Sequence, residues 1–153
     1  MNPYEAKLAA FLEEHTLAAE HLIFTQSCHS VAEAAATVGA EPTDFIKSIC
    51  CSTKNGEFIV CILKGEDKLD LKKVKAILNT DISIAKPEIV LEKTGYPVGG
   101  TPPIGYQTQF FIDERVMQKE YVYAGGGSPQ ALLRIAPHEI VKVNNGRIVE
   151  IKQ

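Results

Sequence analysis

The chain has 153 residues, of which 45% are hydrophobic and 23% are charged, and its formal net charge is −3. These proportions exclude a disordered or fibrous protein, and the negative charge argues against a protein that coats long nucleic acid, although not against one that grips only an end. The length fits one domain, so we expect a single domain over residues 1–153.

Targeting and metal-binding signals are missing from the sequence. The N-terminus lacks the order of a signal peptide, and no apolar run approaches the roughly 20 residues of a membrane span. The four cysteines and four histidines show no paired metal-ligand spacing, so we expect reduced thiols, no metal and no cofactor. Cys50 and Cys51 should point to opposite faces of a strand. These features predict a cytoplasmic protein.

The first part of the chain predicts a helix, a strand and a second helix. Asn2 followed by Pro3 is typical of a helix start, and an apolar face follows at Leu8, Phe11, Leu12 and, less apolar, His15. A short strand is predicted around residues 20–25. A capping box at Ser30 and Glu33 then predicts a helix over residues 31–38, ending at Gly39.

The middle of the chain carries the strongest hairpin signal. Residues 46–53 and 57–63 are rich in β-forming side chains, and Asn55-Gly56 lies in the connection between them. After this hairpin the pattern predicts helices over residues 70–78 and 87–94, a short helix from Pro137, and strands at residues 82–85, 109–112, 121–124, 131–135 and 147–151. The sum is one α+β domain with a mixed, mostly antiparallel sheet and surrounding helices.

Residues 95–105 combine four glycines and three prolines within eleven positions. Proline fixes φ and glycine admits conformations closed to other residues, so this segment predicts a rigid loop of unusual shape. A tight connection between two elements is the alternative, but the run is too long for one turn. We therefore expect a loop whose backbone comes close to a ligand.

Two further features invite a functional interpretation. Lys47 lies at the entry to a strand that should be largely buried, where it either reaches solvent past the sheet edge or binds an anionic group such as phosphate. Ser48 should face the other way. Residues 125–129, Gly-Gly-Gly-Ser-Pro, form either a flexible hairpin loop or a second wall of backbone N–H groups beside the first loop, suited to an oxyanion. No Ser-His-Asp elbow, P-loop, dinucleotide fingerprint or paired-His zinc site is present.

Three segments together carry a resemblance. They are Ser30-Val31-Ala32-Glu33-Ala34-Ala35, Phe45-Ile46-Lys47-Ser48, and the glycine- and proline-rich loop with Gly99-Gly100-Thr101-Pro102-Pro103 at its centre. In order and spacing the chain resembles the YbaK and prolyl-tRNA-synthetase-associated editing domain family from about residue 30 to residue 139. Within that family it is most similar to the free-standing members.

The resemblance implies a trans-acting aminoacyl-tRNA deacylase that removes a wrongly attached small amino acid. By analogy Lys47 neutralises the phosphate of the terminal nucleotide, the loop amides of Gly99, Gly100 and Thr101 hold the ester, and water attacks with help from a ribose hydroxyl. Substrate-binding positions implied in the same way are Phe45, Ser48, Pro102, Pro103, Gly126, Gly127 and Ser128. The implied partners are the acceptor end of aminoacyl-tRNA and a synthetase, with neither DNA nor membrane involved.

Two alternatives remain open at this point. One is a non-catalytic module that binds a tRNA end or a synthetase, because no side-chain general base has an evident partner. The other is a thiol enzyme that uses Cys28 with His29, although neighbours in sequence rarely have the required geometry. The lysines between residues 64 and 75 either form a solvated helix face or attract RNA at long range.

Overall fold

The computed structural model describes residues 1–24 and 31–153, apart from the side chains of residues 31 and 32. The helices are α1 (Pro3–Glu14), α2 (Val31–Val38), α3 (Leu71–Leu78), α4 (Pro87–Thr94) and α5 (Pro137–Asn144). The strands are β1 (Ala19–Ile23), β2 (Ile46–Thr53), β3 (Phe58–Lys64), β4 (Ile82–Ile84), β5 (Gln109–Asp113), β6 (Val122–Gly125), β7 (Ala131–Ile135) and β8 (Arg147–Val149). Short 3-10 turns lie at Pro42–Asp44 and Val116–Gln118.

The strands form two sheets where the sequence predicted one. A five-stranded sheet has the order β4-β2-β3-β5-β8, and a three-stranded sheet has the order β1-β7-β6. The β3–β5 and β5–β8 pairs are parallel and the other four pairs are antiparallel, so the α+β class with mostly antiparallel pairing is confirmed. In the part of the chain that the structure describes, a single bridge between Phe45 and Tyr123 connects the two sheets. The seam between them is therefore nearly free of backbone pairing.

Local signals explain where the elements begin and end. Asn2 caps α1 through a reciprocal bond with Glu5, and Asp70 caps α3 by accepting from the Lys72 amide. Gly95 ends α4 in a left-handed conformation, with φ of 80°. The predicted hairpin forms β2 and β3 in antiparallel register. The Ser30 cap of α2 lies outside the described residues.

The five-stranded sheet separates two apolar clusters. Cys50 packs on one face with Ile46 and Val60, and Cys51 packs on the other with Ile59 and Cys61. This confirms that the adjacent cysteines point in opposite directions. Within residues 1–24 and 31–153, none of the helices is long and apolar enough to cross a membrane.

Candidate functional site

A cavity of about 290 Å³ opens at the seam between the two sheets. One wall is the outer edge of β2, the opposite wall is the start of the glycine- and proline-rich loop, and β6 and β7 close the end. Its lining is mostly apolar: Ala34, Phe45, Ile46, Lys47, Ser48, Ile49, Cys50, Ile84, Ala85, Val90, Val98, Gly99, Thr101, Tyr123, Ala124, Gly125, Ala131 and Leu132. The cavity thus brings Lys47 and the loop, which are 52 positions apart at Gly99, into one site.

Lys47 is half-buried in the cavity wall and its ammonium is held by backbone. The Nζ atom donates to the carbonyl oxygens of Asp67, at 2.5 Å, and Gly65, at 3.3 Å. These contacts account for two of its three protons. Burial lowers the pKa of Lys47 below its usual 10.5, and the nearby Asp67 carboxylate partly opposes this shift.

The turn that holds Lys47 is itself braced by charged side chains. Arg115 forms ion pairs with Asp67, at 2.5 Å, and with Glu66, at 3.3 Å. Glu66 also pairs with Lys64 at 2.8 Å. Because the Asp67 backbone oxygen accepts from Lys47, this network fixes the direction of the Lys47 side chain.

Ser48 and Lys47 lie on opposite faces of β2, as the alternation of a strand requires, yet both line the cavity. The cavity wraps around the strand edge, so one face contributes Lys47 and Ile49 while the other contributes Ser48 and Cys50. Phe45 lies at the end of the cavity, where its ring stacks on Tyr123 with 5.1 Å between centroids.

The glycine- and proline-rich loop is anchored by buried side chains at both ends. Tyr96 and Ile104 are fully buried, and Thr94 accepts from the Tyr96 amide through its hydroxyl. Inside the loop the Thr101 hydroxyl and the Gly100 amide both donate to the Pro97 carbonyl. The Gly100 amide is therefore occupied, and Val98, Gly99 and Thr101 are the loop residues that reach the cavity.

The two glycine-rich loops pack directly against each other. The Gly127 amide donates to the Gly100 carbonyl at 2.8 Å. A Cβ atom added at Gly125 would overlap the Thr101 carbonyl, and one added at Gly100 would overlap the backbone of Ser128. The triplet therefore lies beside the first loop, but the amides of Gly126 and Gly127 already donate to the carbonyls of Ala131 and Gly100, and of the three glycines Gly125 lines the cavity.

Several predicted binding residues lie behind the cavity wall instead of in it. The carbonyls of Pro102 and Pro103 accept from Tyr106 and Asn144. Three more predicted residues brace the second loop: Gly126 accepts from His21, Gly127 bonds to the first loop, and Ser128 donates to buried Glu5. The structure therefore does not bring Pro102, Pro103, Gly126, Gly127 or Ser128 into the cavity lining, and they support the wall from behind.

The sequence analysis singled out Phe45, Lys47, Ser48, Gly99 and Thr101 as site residues, and Gly125 as part of the glycine triplet, but most of the other lining residues were missed. The missed residues include Tyr123 of β6 and Cys50 of β2. Tyr123 and Cys50 gave no signal, since both fit an ordinary strand pattern.

The cavity holds few groups that could transfer a proton. Burial raises the pKa of the Cys50 thiol to about 12, so this thiol stays protonated at neutral pH. Among the residues that the structure describes, no group of three metal-ligating side chains comes together. Cys28 and His29, the pair of the thiol-enzyme alternative, lie outside the described residues.

Comparisons with known proteins agree with this architecture. Residues 25–143 match the model of the family described as "Aminoacyl-tRNA editing domain". A candidate Cys-tRNA(Pro)/Cys-tRNA(Cys) deacylase, EbsC of Enterococcus faecalis, is 30% identical over 97% of this chain and 85% of its own length. A solved structure of a candidate trans-editing enzyme for prolyl-tRNA synthetase superposes with a TM-score of 0.91 at 28% identity, covering 100% of this chain and 99% of that one.

The similarity extends to a domain of larger enzymes. The proline–tRNA ligase of Thermosipho melanesiensis is 26% identical over a segment that covers 80% of this chain but only 22% of the ligase. The family model covers well over half of the 153 residues, and the matched region includes Lys47 and both glycine-rich loops. The chain therefore belongs to the aminoacyl-tRNA editing domain family.

Proposed function

We propose that this protein is a trans-acting aminoacyl-tRNA deacylase that hydrolyses the ester between a mischarged small amino acid and tRNA. The observation that carries the proposal is the single cavity that holds both Lys47 and the loop residues Gly99 and Thr101. Family membership supports a role in tRNA editing, and the name of the Enterococcus faecalis relative supports hydrolysis of the ester.

The chemistry needs no side-chain base. An aminoacyl ester is activated, so a water positioned beside hydrogen-bond donors can attack it, and the developing oxyanion is stabilised by the amides of Gly99 and Thr101. The third proton of Lys47 binds the phosphate of the terminal nucleotide. A ribose hydroxyl of the substrate assists the water. The neutral Cys50 thiol contributes shape and no nucleophile.

The size and lining of the cavity favour a small, uncharged amino acid. Its volume of about 290 Å³ must hold the amino acid and part of the terminal ribose, and its walls are apolar apart from Lys47, Ser48, Thr101 and Tyr123. A cationic side chain would lose its hydration there with no partner of opposite sign, and an anionic one would compete with the phosphate for Lys47. Alanine, serine, cysteine, proline and threonine are therefore the esters to test.

A panel of mischarged tRNAs tests the proposal. Each of the five esters is incubated with the protein, and loss of the amino acid is compared with spontaneous hydrolysis, while filter binding reports the affinity for charged and uncharged tRNA. The deacylase predicts turnover of at least one ester. Equal binding of both tRNA forms without turnover would instead establish the non-catalytic module.

A further inference from the structure

The outer edge of β2 is open where it passes through the cavity. The Gly65 amide donates to the Phe45 carbonyl and the Thr53 amide donates to the Glu57 carbonyl, so odd-numbered residues of β2 bond to β3. In an antiparallel ladder the even-numbered residues then point their N–H and C=O groups away from β3. The Cys50 carbonyl follows this rule, because it accepts from Ala85 on the outer side.

Pro87 explains why β4 does not cover the outer edge of β2 at Ser48. The β2–β4 register pairs Ser52 with Ser83, and its continuation places Pro87 opposite Ser48. Proline has no N–H to donate, and here it begins α4, which turns the chain away. On the other side β6 reaches this edge only at the bridge between Phe45 and Tyr123. The peptide groups of Ser48 thus face the cavity without a strand partner among residues 1–24 and 31–153.

An aminoacyl ester matches this gap. Its amino nitrogen and its carbonyl oxygen are separated by one Cα atom, as are the N–H and C=O groups of a residue in a strand. Opposite Ser48 the amino group could donate to the Ser48 carbonyl while the ester carbonyl accepts from the Ser48 amide, which is the two-bond pair of an antiparallel ladder. Extended ligands commonly add to sheet edges in this way.

We infer that the protein binds the aminoacyl group of its substrate as a one-residue β-bridge to the backbone of Ser48. The inference rests on the proposed function, which supplies the ester. It assigns the α-ammonium to the Ser48 carbonyl and adds the Ser48 N–H to the donors that face the ester carbonyl. Because paired residues point their side chains to the same face, the bound amino acid lies on the side of Ser48 and Cys50.

The substrate side of the bridge is tested with esters that lack the amino group. Alanyl-tRNA is compared with propionyl-tRNA, or another hydrolysed ester with its deamino counterpart, and each rate is divided by the spontaneous rate of the same ester. Loss of a charge-assisted hydrogen bond predicts a decrease in kcat/KM of about tenfold to a hundredfold for the deamino ester. Equal normalised rates would overturn the inference but not the deacylase, which fails only if no aminoacyl ester is cleaved.

The protein side is tested by replacing one backbone N–H with an ester oxygen. Ser48 and, as the matched control, Ser52 are each replaced by the α-hydroxy analogue of serine, which keeps the side chain. Each change turns the carbonyl of the preceding residue into a weaker acceptor, and in both cases that carbonyl bonds to β3. Only the change at Ser52 also removes an N–H that pairs with β4. We expect the protein with the backbone ester at Ser48 to lose about tenfold or more in kcat/KM. Its melting temperature should nevertheless be higher than that of the protein with the backbone ester at Ser52, which retains activity. The inference is wrong if the two variant proteins are equally active, or if the variant at Ser48 has a melting temperature as low as the variant at Ser52.

Discussion

Lys47 is a cation held in a mostly apolar wall, and the proposed function gives it a phosphate to bind. The backbone carbonyls of Gly65 and Asp67 satisfy two protons, and Arg115 holds the turn that carries them. Such a lysine is preorganised, so less conformational freedom is lost when it binds a phosphate. The same desolvation that makes the ammonium a strong partner also lowers its pKa.

The lowered pKa of Lys47 predicts an alkaline limit to activity. In the proposed role the protonated form binds phosphate, and this form is lost as pH rises through a pKa below the usual 10.5. After subtraction of spontaneous hydrolysis, the wild-type kcat/KM should therefore fall as pH approaches that value from below. In Lys47→Arg the guanidinium stays charged, so the residual activity should show no such fall. Identical pH profiles for the two proteins would contradict the assigned role of Lys47.

Cys50 tests whether a thiol takes part. Because burial raises its pKa to about 12, the thiol is neutral and unreactive at pH 7. We expect Cys50→Ala to keep kcat/KM within about threefold and to lose about 1–2 kcal/mol of the free energy of unfolding through the lost packing. A loss of activity greater than about a hundredfold in a folded variant would show that the sulfur is needed.

At the scale of elements, the site depends on the contact between the two glycine-rich loops. Gly125 and Gly100 are the positions where that contact leaves no room for a side chain. The first loop is anchored by the buried side chains of Tyr96 and Ile104, and the second loop is anchored by the hydrogen bond from Ser128 to Glu5. The two walls are thus set by packing before a substrate arrives.

The substitution Gly125→Ala should separate these walls. Its Cβ would overlap the Thr101 carbonyl, so the contact between the two loops must open. We expect a loss of about tenfold to a hundredfold in kcat/KM, with a destabilisation of about 1–3 kcal/mol from overpacking. Gly56→Ala is the control, because Gly56 lies in the β2–β3 turn with φ of 84° and open space around it. This control should cost about 1–2 kcal/mol of stability and no activity. Equal activity in the two variants would refute the coupling of the loops.

The sequence predicted the elements well because their signals are local. Asn2, Asp70 and Gly95 mark helix ends by their own chemistry, and Asn55-Gly56 marks a hairpin. Which residues face the cavity is decided by tertiary packing. Ser128 and Pro102 belong to the expected motifs but lie behind the wall, while Tyr123 enters the site only because its sheet meets the edge of β2.

At the scale of the whole molecule, the cavity exists because the two sheets do not merge. A continued β2–β6 ladder would fill the seam with backbone hydrogen bonds, but among the described residues β6 pairs with this edge at Phe45 and Tyr123 alone. Their stacked rings close the end of the seam. The open stretch of β2 beyond them places Lys47 on one side of the strand edge and Ser48 on the other, and both line the cavity.

The central claim is that this seam hydrolyses an aminoacyl ester with the help of Lys47. The most direct test is a single-turnover measurement with protein in excess over each of the five mischarged tRNAs, comparing wild type, Lys47→Ala and the exposed-lysine control Lys54→Ala. We predict that at least one ester is cleaved well above background, and that Lys47→Ala loses about a hundredfold while Lys54→Ala stays close to wild type. Cleavage of no ester above background, or an undiminished rate in Lys47→Ala, would contradict the claim.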